Sequence, residues 1–291
     1  KKHFHETGTQ RIYQRFCLVL TNIKKAVEEI VRLDISPASA GAFIFLCKTK
    51  EDTQKDFEDK LKELSQIKFP KPVIIGTSKN FNEFFNYALE IAALKRVKST
   101  VDAIEGDAIA KKELNGRLTA YQNLLFNSLY LNFENADWTF NKNKVKENNL
   151  SAIASLISNE VFKLTPIIHN ELVVRDRLSS MSMNGATILL NRVFNNSHLK
   201  NLGMEGNPSE FGIYLSLIKS NNLHIKKGDE FVISIENTKN KSIKTIYDEF
   251  LKLIKGSKEA VNVSDIYAHF VKQPYGIKIG LLPILIGIFF K

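Results

Sequence analysis

The chain has 291 residues, of which 44% are hydrophobic and 25% are charged. This is the composition of a globular protein and excludes a largely disordered chain, and the length suffices for one large domain or two to three small ones of roughly 100–200 residues each. The formal net charge of +10 bears on non-specific association with acidic partners rather than on the fold.

The first third of the chain alternates strand-like and helix-like patterns. Runs rich in β-branched and aromatic residues predict three strands, at 11–20, 40–48 and 71–78. Apolar residues at helical spacing predict a helix after each strand, at 22–35, 49–67 and 80–97. The second of these helices has Thr49 or Thr53 as its expected cap. The order β-α-β-α-β-α favours a small α/β layer with a parallel sheet.

The turn after the third predicted strand reads GTSKNF. It matches neither of the glycine-rich phosphate-binding patterns, GxxxxGKS/T and GxGxxG. We therefore expect a plain strand-to-helix turn with Ser78 or Asn80 as the N-cap, rather than a nucleotide site.

From about residue 98 the pattern becomes helical. One long amphipathic helix is predicted at 107–133, followed by a polar connector at 136–149 and further helices at 150–165 and 170–194. A strong helix start follows, in which Asn207 is the predicted cap, Pro208 the first helical residue and Glu210 the third residue after the cap.

After residue 225 a strand-like run, EFVISI, precedes three helical segments at 243–256, 263–271 and 273–291. Three compact helices with short connections suit a helix-turn-helix or winged-helix unit whose wing would lie beyond Lys291. The predicted fold class is therefore mixed α/β and α. It comprises a small parallel α/β domain at 1–97, a helical domain at 98–225 and a truncated winged-helix-like unit at 226–291.

The last nineteen residues, QPYGIKIGLLPILIGIFFK, are the most apolar stretch. The run Ile277–Phe290 is shorter than the roughly 20 residues of a membrane span, and Lys278 and Pro283 interrupt it. Between Lys278 and Lys291 it also lacks the polar side chains that read DNA bases. We therefore expect a third helix used as core, with no membrane contact and with any DNA contact made by its lysine-bearing neighbours or by a missing wing.

The two cysteines, Cys17 and Cys47, lie in apolar runs without the spacing of a metal site. We expect both to be buried small hydrophobic residues in a reducing compartment rather than a disulfide. The N-terminus is polar and lacks the apolar region of a secretory signal. Because the chain opens on Lys1 without an initiator methionine, we expect a fragment of a longer chain.

The segment 169–182 has the most distinctive polar pattern. On the predicted helix Glu171 and Arg175 are four residues apart and face each other. Arg175 and Arg177 could hold a phosphate or a partner carboxylate, and the alternative is a solvated helix face with a weak surface ion pair. The residues predicted to contact nucleic acid or a partner are Arg175, Arg177, Lys244, Lys272 and Lys278.

No catalytic motif and no metal-ligand set is predicted in this chain. The six histidines include no HExxH or Cys/His grid. His3 and His5 could share a face of a strand, but they lie at a terminus that we expect to fray. No nucleophile–base arrangement accompanies the arginines.

Several phrases occur in a characteristic order: ALEIAALKRV, GDAIAKKELNGRL, LTPIIHNELVVRDRLSS, LGMEGNPSEFGIYLSLI and QPYGIKIGLLPILIGIFF. The series resembles the region downstream of the P-loop ATPase core in very large bacterial ATP-binding proteins of phage-defence and DNA-modification islands, of the BREX and phosphorothioate-linked kinds. It runs from about residue 70 to 291. The motif residues that carry it most specifically are Asn170, Glu171, Gly203, Gly206, Asn207, Pro208, Glu210, Pro274, Tyr275 and Gly276.

The resemblance implies a cytoplasmic, DNA-linked, multi-subunit ATPase machine of which this chain is an internal piece. The P-loop lysine and magnesium ligands of that family have no counterpart here, so ATP and magnesium would bind elsewhere in a longer parent. We therefore expect a non-catalytic docking region whose partners are other subunits of a defence complex or duplex DNA. The alternative is a self-contained enzyme or ligand-binding protein with its site at the carboxyl ends of the α/β strands.

Overall fold

A computed structural model describes residues 1–20, 23–48, 53–78, 82–100, 106–257 and 259–291 of a mixed α/β protein. Its helices and strands, in chain order, are α1 (Lys2–Thr7), β1 (Tyr13–Leu20), α2 (Ile23–Arg32), β2 (Gly41–Lys48), α3 (Gln54–Leu64), β3 (Val73–Thr77), α4 (Asn82–Thr100), α5 (Ala108–Glu134), β4 (Asp137–Phe140), β5 (Asn143–Lys144), α6 (Leu150–Val161), α7 (Ser180–Asn195), α8 (Phe211–Ile213), β6 (His224–Lys227), β7 (Glu230–Ile233), α9 (Lys241–Gly256), α10 (Val263–Val271) and α11 (Leu282–Phe289). A π-helix, Tyr214–Lys219, continues α8.

The chain forms two compact units. Residues Ile12–Ile153 make up one, called the sheet unit below. Lys1–Arg11 together with Ala154–Lys291 make up the other, called the helical unit. The predicted division into domains at 1–97, 98–225 and 226–291 stays a prediction.

The sheet unit holds a five-stranded sheet in the order β1-β2-β3-β4-β5. Strands β1, β2 and β3 are parallel, with Tyr13 opposite Gly41 and Ala42 opposite Val73, so the predicted parallel layer is confirmed. On β2 every residue from Ala42 to Cys47 is buried. A strand covered on both faces reads as a continuous apolar run, which is why this segment is recognisable from sequence. Thr53 caps α3 by accepting from the Asp56 amide, whereas Thr49 lies outside the described residues.

The polar connector predicted at 136–149 is wrong over its first half, because β4 and β5 form a hairpin there. β4 pairs antiparallel with β3, and Asn141 and Lys142 form a two-residue turn with positive φ at both positions (47° and 69°). Such a turn matches strand twist but normally contains glycine, so this one gives little sequence signal. The hairpin buries Trp138 edge-on against Phe43 and Phe133, with ring centroids 5.0 Å apart in both pairs.

In the helical unit α11 is buried on nearly all sides, as the apolar tail predicts. Its buried side chains are Leu282, Ile284, Leu285, Ile286, Ile288 and Phe289. Together with residues of α7, the π-helix, α9 and α10 they form one hydrophobic core. The predicted run EFVISI supplies β7, and β7 pairs antiparallel with β6. Within the described residues, no helix combines the length and the apolarity that crossing a bilayer requires.

The N-terminus does not fray as we expected. Gly8 caps the C-terminus of α1 and its backbone lies against Ile168, whose amide donates to the Thr7 carbonyl at 3.1 Å. His3 is buried, with Nδ1 2.5 Å from Asn159 Oδ1, so it is a packed helix residue rather than a strand-borne ligand. The cysteine prediction is half wrong, since Cys47 is buried but Cys17 is exposed.

Replacing Gly76 by alanine should destabilise the sheet unit. A Cβ at Gly76 would lie 2.3 Å from Trp138 Cζ3, so the indole or β3 must shift. Overpacking of this kind costs about 1–3 kcal/mol. Denaturant unfolding followed by Trp138 fluorescence measures it, since this is the single tryptophan of the chain.

Gly116→Ala is the matched control, because nothing lies within 4 Å of a Cβ at that position on α5. There alanine should leave the stability equal or raise it by up to about 1 kcal/mol through helix propensity. Equal losses in the two variants would contradict the packing role given to Gly76.

Candidate functional site

The three segments that carry the resemblance most specifically, around Asn170–Arg175, Gly203–Glu210 and Pro274–Pro283, all lie in the helical unit. The structure joins each of them to another part of that unit through polar side chains. Most residues singled out from sequence are therefore found in one unit, but they serve different purposes there.

The segment 171–177 is a series of turns, not the predicted helix, which begins only at Ser180. The side chain of Asn170 holds the turns, because its Oδ1 accepts from the amides of Leu172 (2.9 Å) and Val173 (3.2 Å). Asn170 Nδ2 donates to Ser216 on the π-helix. Val173, in the middle of these turns, is fully buried in the hydrophobic core.

Arg175 and Glu171 still approach each other across the turns, with Nη2 and Oε2 4.0 Å apart. Both side chains are mostly exposed, at 57% and 74%. A pair of this kind contributes little to stability, so it matches the weak surface ion pair that we left open as the alternative. Arg177 on the same loop is exposed as well.

Lys278 is not a free surface cation. Its side chain is only 11% exposed and its Nζ pairs with Asp176. Beside it, the Gly280 amide donates to the Arg175 carbonyl at 2.9 Å, and a Cβ at Gly280 would lie 2.4 Å from Leu178 Cδ2. The loop 170–178 is thus bound to the start of the apolar tail, and the Lys278–Asp176 ion pair is one of the contacts that join them.

The predicted capping box at Asn207 is wrong. α8 begins at Phe211, and Glu210 makes no side-chain cap bond. The Glu210 carboxylate, only 4% exposed, instead accepts from Arg192 Nε on α7 at 3.0 Å. Arg192 Nη1 also reaches the Gly203 carbonyl at 3.4 Å. The motif therefore connects the 203–210 loop to α7. An unpaired buried carboxylate would destabilise the fold strongly, so the Glu210 side chain pairs with Arg192 and does not cap the helix.

The remaining motif residues of this loop lie on the surface or in turns. Gly203 and Gly206 have positive φ (68° and 67°), Asn207 is exposed, and Pro208 accepts from the Phe211 amide at 3.0 Å. They shape the approach to α8.

The segment after α10 is tied to the N-terminal part of the helical unit. The Gln273–Pro274 peptide is cis, and the Pro274 carbonyl accepts from the Leu164 amide at 3.1 Å. The Tyr275 carbonyl accepts from the buried Thr165 hydroxyl at 2.7 Å. Gly276 has a positive φ of 57° and lies against Phe162, over whose ring the Arg11 guanidinium stacks at 4.0 Å.

Four of the five predicted contact residues remain exposed: Arg175, Arg177, Lys244 and Lys272. Lys244 lies on α9 and Lys272 directly follows α10. Sequence reasoning did not find the partners Asp176, Arg192 and Ser216. Nothing in their spacing distinguishes them, since each meets its partner only through the tertiary fold.

Sequence reasoning also missed a buried polar pair beside β6. Tyr214 Oη lies 3.0 Å from His224 Nδ1, and His224 Nε2 lies 2.9 Å from the Ser197 carbonyl. A carbonyl only accepts, so Nε2 carries the proton and the tyrosine hydroxyl donates to Nδ1. Burial lowers the pKa of His224, although the bond to Ser197 opposes this, and burial raises the pKa of Tyr214.

Among the described residues no three His, Cys, Asp or Glu side chains come together in a group that could hold a metal ion. The carboxyl ends of β1–β3 lead into residues 21–22, 49–52 and 79–81, which lie outside the described residues. Asn80 is among them. Ser78 is buried and donates to Asn132 on α5. A ligand site at those strand ends therefore stays a prediction.

No protein-family model, curated protein or solved structure matches the chain. The likeness to defence-island ATP-binding proteins accordingly stays an expectation drawn from the sequence phrases. The function of the helical unit has to be inferred from its own contacts and surface.

Lys278→Ala should destabilise the helical unit by about 1–3 kcal/mol, because it leaves Asp176 and the junction at Gly280 without their cation. Far-UV circular dichroism in denaturant follows the helices of this unit. The control is Lys272→Ala, an exposed position where the change should stay within about 0.5 kcal/mol. Equal behaviour of the two variants would argue against the structural assignment of Lys278.

The helical unit should lose stability in mild acid. Burial lowers the pKa of both His224 and His3, so the folded state holds them neutral while the unfolded state takes up protons below about pH 6.5. This contribution is complete above that pH and is lost as the pH falls toward the folded pKa values.

Thermal unfolding between about pH 7.5 and about pH 5.5 tests this linkage. His224→Gln can keep both hydrogen bonds and should flatten the pH dependence. His5→Gln, at an exposed position on α1, should leave it unchanged. A wild-type midpoint that rises on acidification would reverse the sign and refute the explanation.

Proposed function

We propose that this chain is a non-catalytic docking region of a larger bacterial defence-associated ATP-binding protein, and that its helical unit contacts duplex DNA. The observation that carries the proposal is the distribution of charge between the two units. Lys1–Arg11 and Ala154–Lys291 contain 20 lysines and arginines against 13 acidic residues, a balance of +7 out of the +10 of the whole chain. A cationic surface attracts the phosphate backbone without reading sequence.

The roles of the polar residues in the helical unit support docking rather than catalysis. Glu210, Asp176 and Lys278 are engaged in ion pairs that hold the helical unit together. Arg177, Lys244 and Lys272 instead present their charges to solvent. Exposed lysine and arginine side chains of this kind bind the phosphates of DNA and fix the position of a protein on the duplex.

The hairpin of β6 and β7 carries further exposed cations of the helical unit. Lys226 and Lys227 are exposed at its end, next to the turn residue Gly228 at a positive φ of 67°. We propose that this ribbon and the three helices α9, α10 and α11 act as a winged-helix-like unit. The ribbon precedes the helices in the chain, and buried α11 would serve as core rather than as the base-reading helix.

The larger assembly follows from the resemblance alone. It implies a cytoplasmic machine with several subunits, in which ATP and magnesium bind elsewhere in the parent protein. In that setting the chain would position DNA, or a partner subunit, relative to the ATPase.

Fluorescence anisotropy with a labelled DNA duplex over a range of salt concentrations tests the proposal. We expect affinity to fall steeply with salt, because phosphate contacts release condensed counterions. The triple variant Arg177→Gln, Lys244→Gln and Lys272→Gln should bind at least about tenfold more weakly and reduce the salt slope by up to about 3.

The control carries three equivalent neutralisations in the sheet unit, Lys68→Gln, Lys112→Gln and Lys146→Gln, all at exposed positions. It changes the net charge equally and should bind nearly as wild type does. Equal weakening by both triple variants would reduce the interaction to overall charge. Absence of binding at low salt would rule out DNA contact and favour docking to a protein subunit.

A further inference from the structure

Two thiols meet on one face of the sheet unit. Cys17 lies on β1 and Cys47 on the neighbouring parallel strand β2, and their sulfur atoms are 3.6 Å apart. Cys17 is opposite Phe45 and Cys47 is opposite Val19, so the cysteines are diagonal neighbours. Since side chains two residues apart on a strand share a face, the register places both thiols on the same side of the sheet.

The two thiols have unequal surroundings. Cys17 is exposed on β1, which ends the sheet in the part of the chain that the structure describes. Cys47 is only 4% exposed and lies in the hydrophobic core. Cys17 is therefore the more accessible of the two residues to a dissolved reagent.

The contact also shifts the pKa values of the two thiols in opposite directions. A hydrogen bond from the Cys47 thiol lowers the pKa of Cys17, with burial acting in the opposite sense. The pKa of Cys47 is raised by the same contact and by burial. The exposed sulfur is thus the better nucleophile and the buried one remains protonated, which is the division of roles between an attacking and a resolving cysteine.

We propose that Cys17 and Cys47 form an oxidisable dithiol site, in which a peroxide oxidises Cys17 and Cys47 closes a reversible intrachain disulfide. This site is separate from the DNA contact proposed for the helical unit and does not depend on it. It provides a modification site in the sheet unit, responsive to hydrogen peroxide or a small organic hydroperoxide.

The reaction balances in two steps. The Cys17 thiolate attacks one peroxide oxygen, the O–O bond breaks, and the other oxygen leaves as hydroxide, which is protonated to water, so Cys17 becomes a sulfenic acid. The Cys47 sulfur, giving up its proton, then attacks the Cys17 sulfur, and the S–O bond breaks as water leaves. Two thiols and one hydrogen peroxide thus give one disulfide and two waters.

Bond formation requires the backbone to move as well as the side chains, because diagonal neighbours on adjacent strands have Cα atoms roughly 7–8 Å apart and a disulfide spans about 4.4–6.8 Å. The sulfurs must close from 3.6 Å to about 2.05 Å, through side-chain rotation and a shift of β1 along or toward β2. In the described sheet β1 is hydrogen-bonded to another strand on one side only, so such a shift leaves β2 and β3 paired as they are.

The test begins with the unmodified full chain. The reduced protein is freed of reductant, treated with hydrogen peroxide, unfolded, and exposed to N-ethylmaleimide before intact-mass measurement. We expect a monomer in which both free thiols are lost to the reagent, with a mass lower by two hydrogen atoms and restored by dithiothreitol. Alkylation of both cysteines after oxidation, disulfide-linked dimers, or Cys17 sulfinate beside a free Cys47 would each overturn the proposal.

Single variants then separate the two roles. In Cys47→Ser, dimedone should trap a Cys17 sulfenic acid that wild type passes on to the disulfide. In Cys17→Ser, iodoacetamide should modify native Cys47 at least about tenfold more slowly than it modifies Cys17 in Cys47→Ser. Cys47→Ala repeats the first measurement without a buried hydroxyl, and Trp138 fluorescence checks that each variant is folded. Equal alkylation rates, or no dimedone adduct in either Cys47 variant, would refute the assigned roles.

Discussion

The helical unit depends on burying the apolar tail of the chain. α11 presents apolar side chains in nearly every direction, so it needs cover all around, including from loops whose backbone and side chains are polar. Polar groups beside a core have to be paired, because burying a polar group without a hydrogen-bond partner is unfavourable in free energy. The Asp176–Lys278 pair and the bond from the Gly280 amide to the Arg175 carbonyl meet this demand where the loop 170–178 reaches the tail.

The same demand decides which charges the fold uses and which stay exposed. The fold uses Lys278 and Arg192, each beside a carboxylate that is itself partly or wholly buried. It leaves Arg177, Lys244 and Lys272 exposed to solvent. An ion pair at such positions would contribute little to the stability of the fold, so these side chains stay available to a polyanion. Exposure distinguishes the cations that the fold uses from those that stay available to a partner, and sequence spacing does not.

Local pattern predicted the regular elements well and the polar contacts poorly. The parallel strands and the helices around them follow from hydrophobic periodicity, which is a property of the local sequence and can be read without knowing the tertiary contacts. The hairpin at Asn141 and Lys142 was missed because its turn lacks glycine and its strands are short. Glu210 was assigned to a local cap, and the turns after Asn170 to a helix. In both cases a tertiary partner, Arg192 or Ser216, competes with the local preference and cannot be read from neighbouring residues.

The most specific sequence phrases of the chain turn out to contain the residues that fasten the helical unit together. Asn170, Glu210 and Tyr275 bind other segments through a side chain or carbonyl, and the backbone at Gly276 lies directly against Phe162. Residues with such roles are constrained by geometry, so a likeness in these phrases argues for a shared fold of this unit before it argues for a shared activity. The functions that we propose rest instead on the solvent-facing cations of the helical unit and on the two neighbouring thiols of the sheet unit, one exposed and one buried.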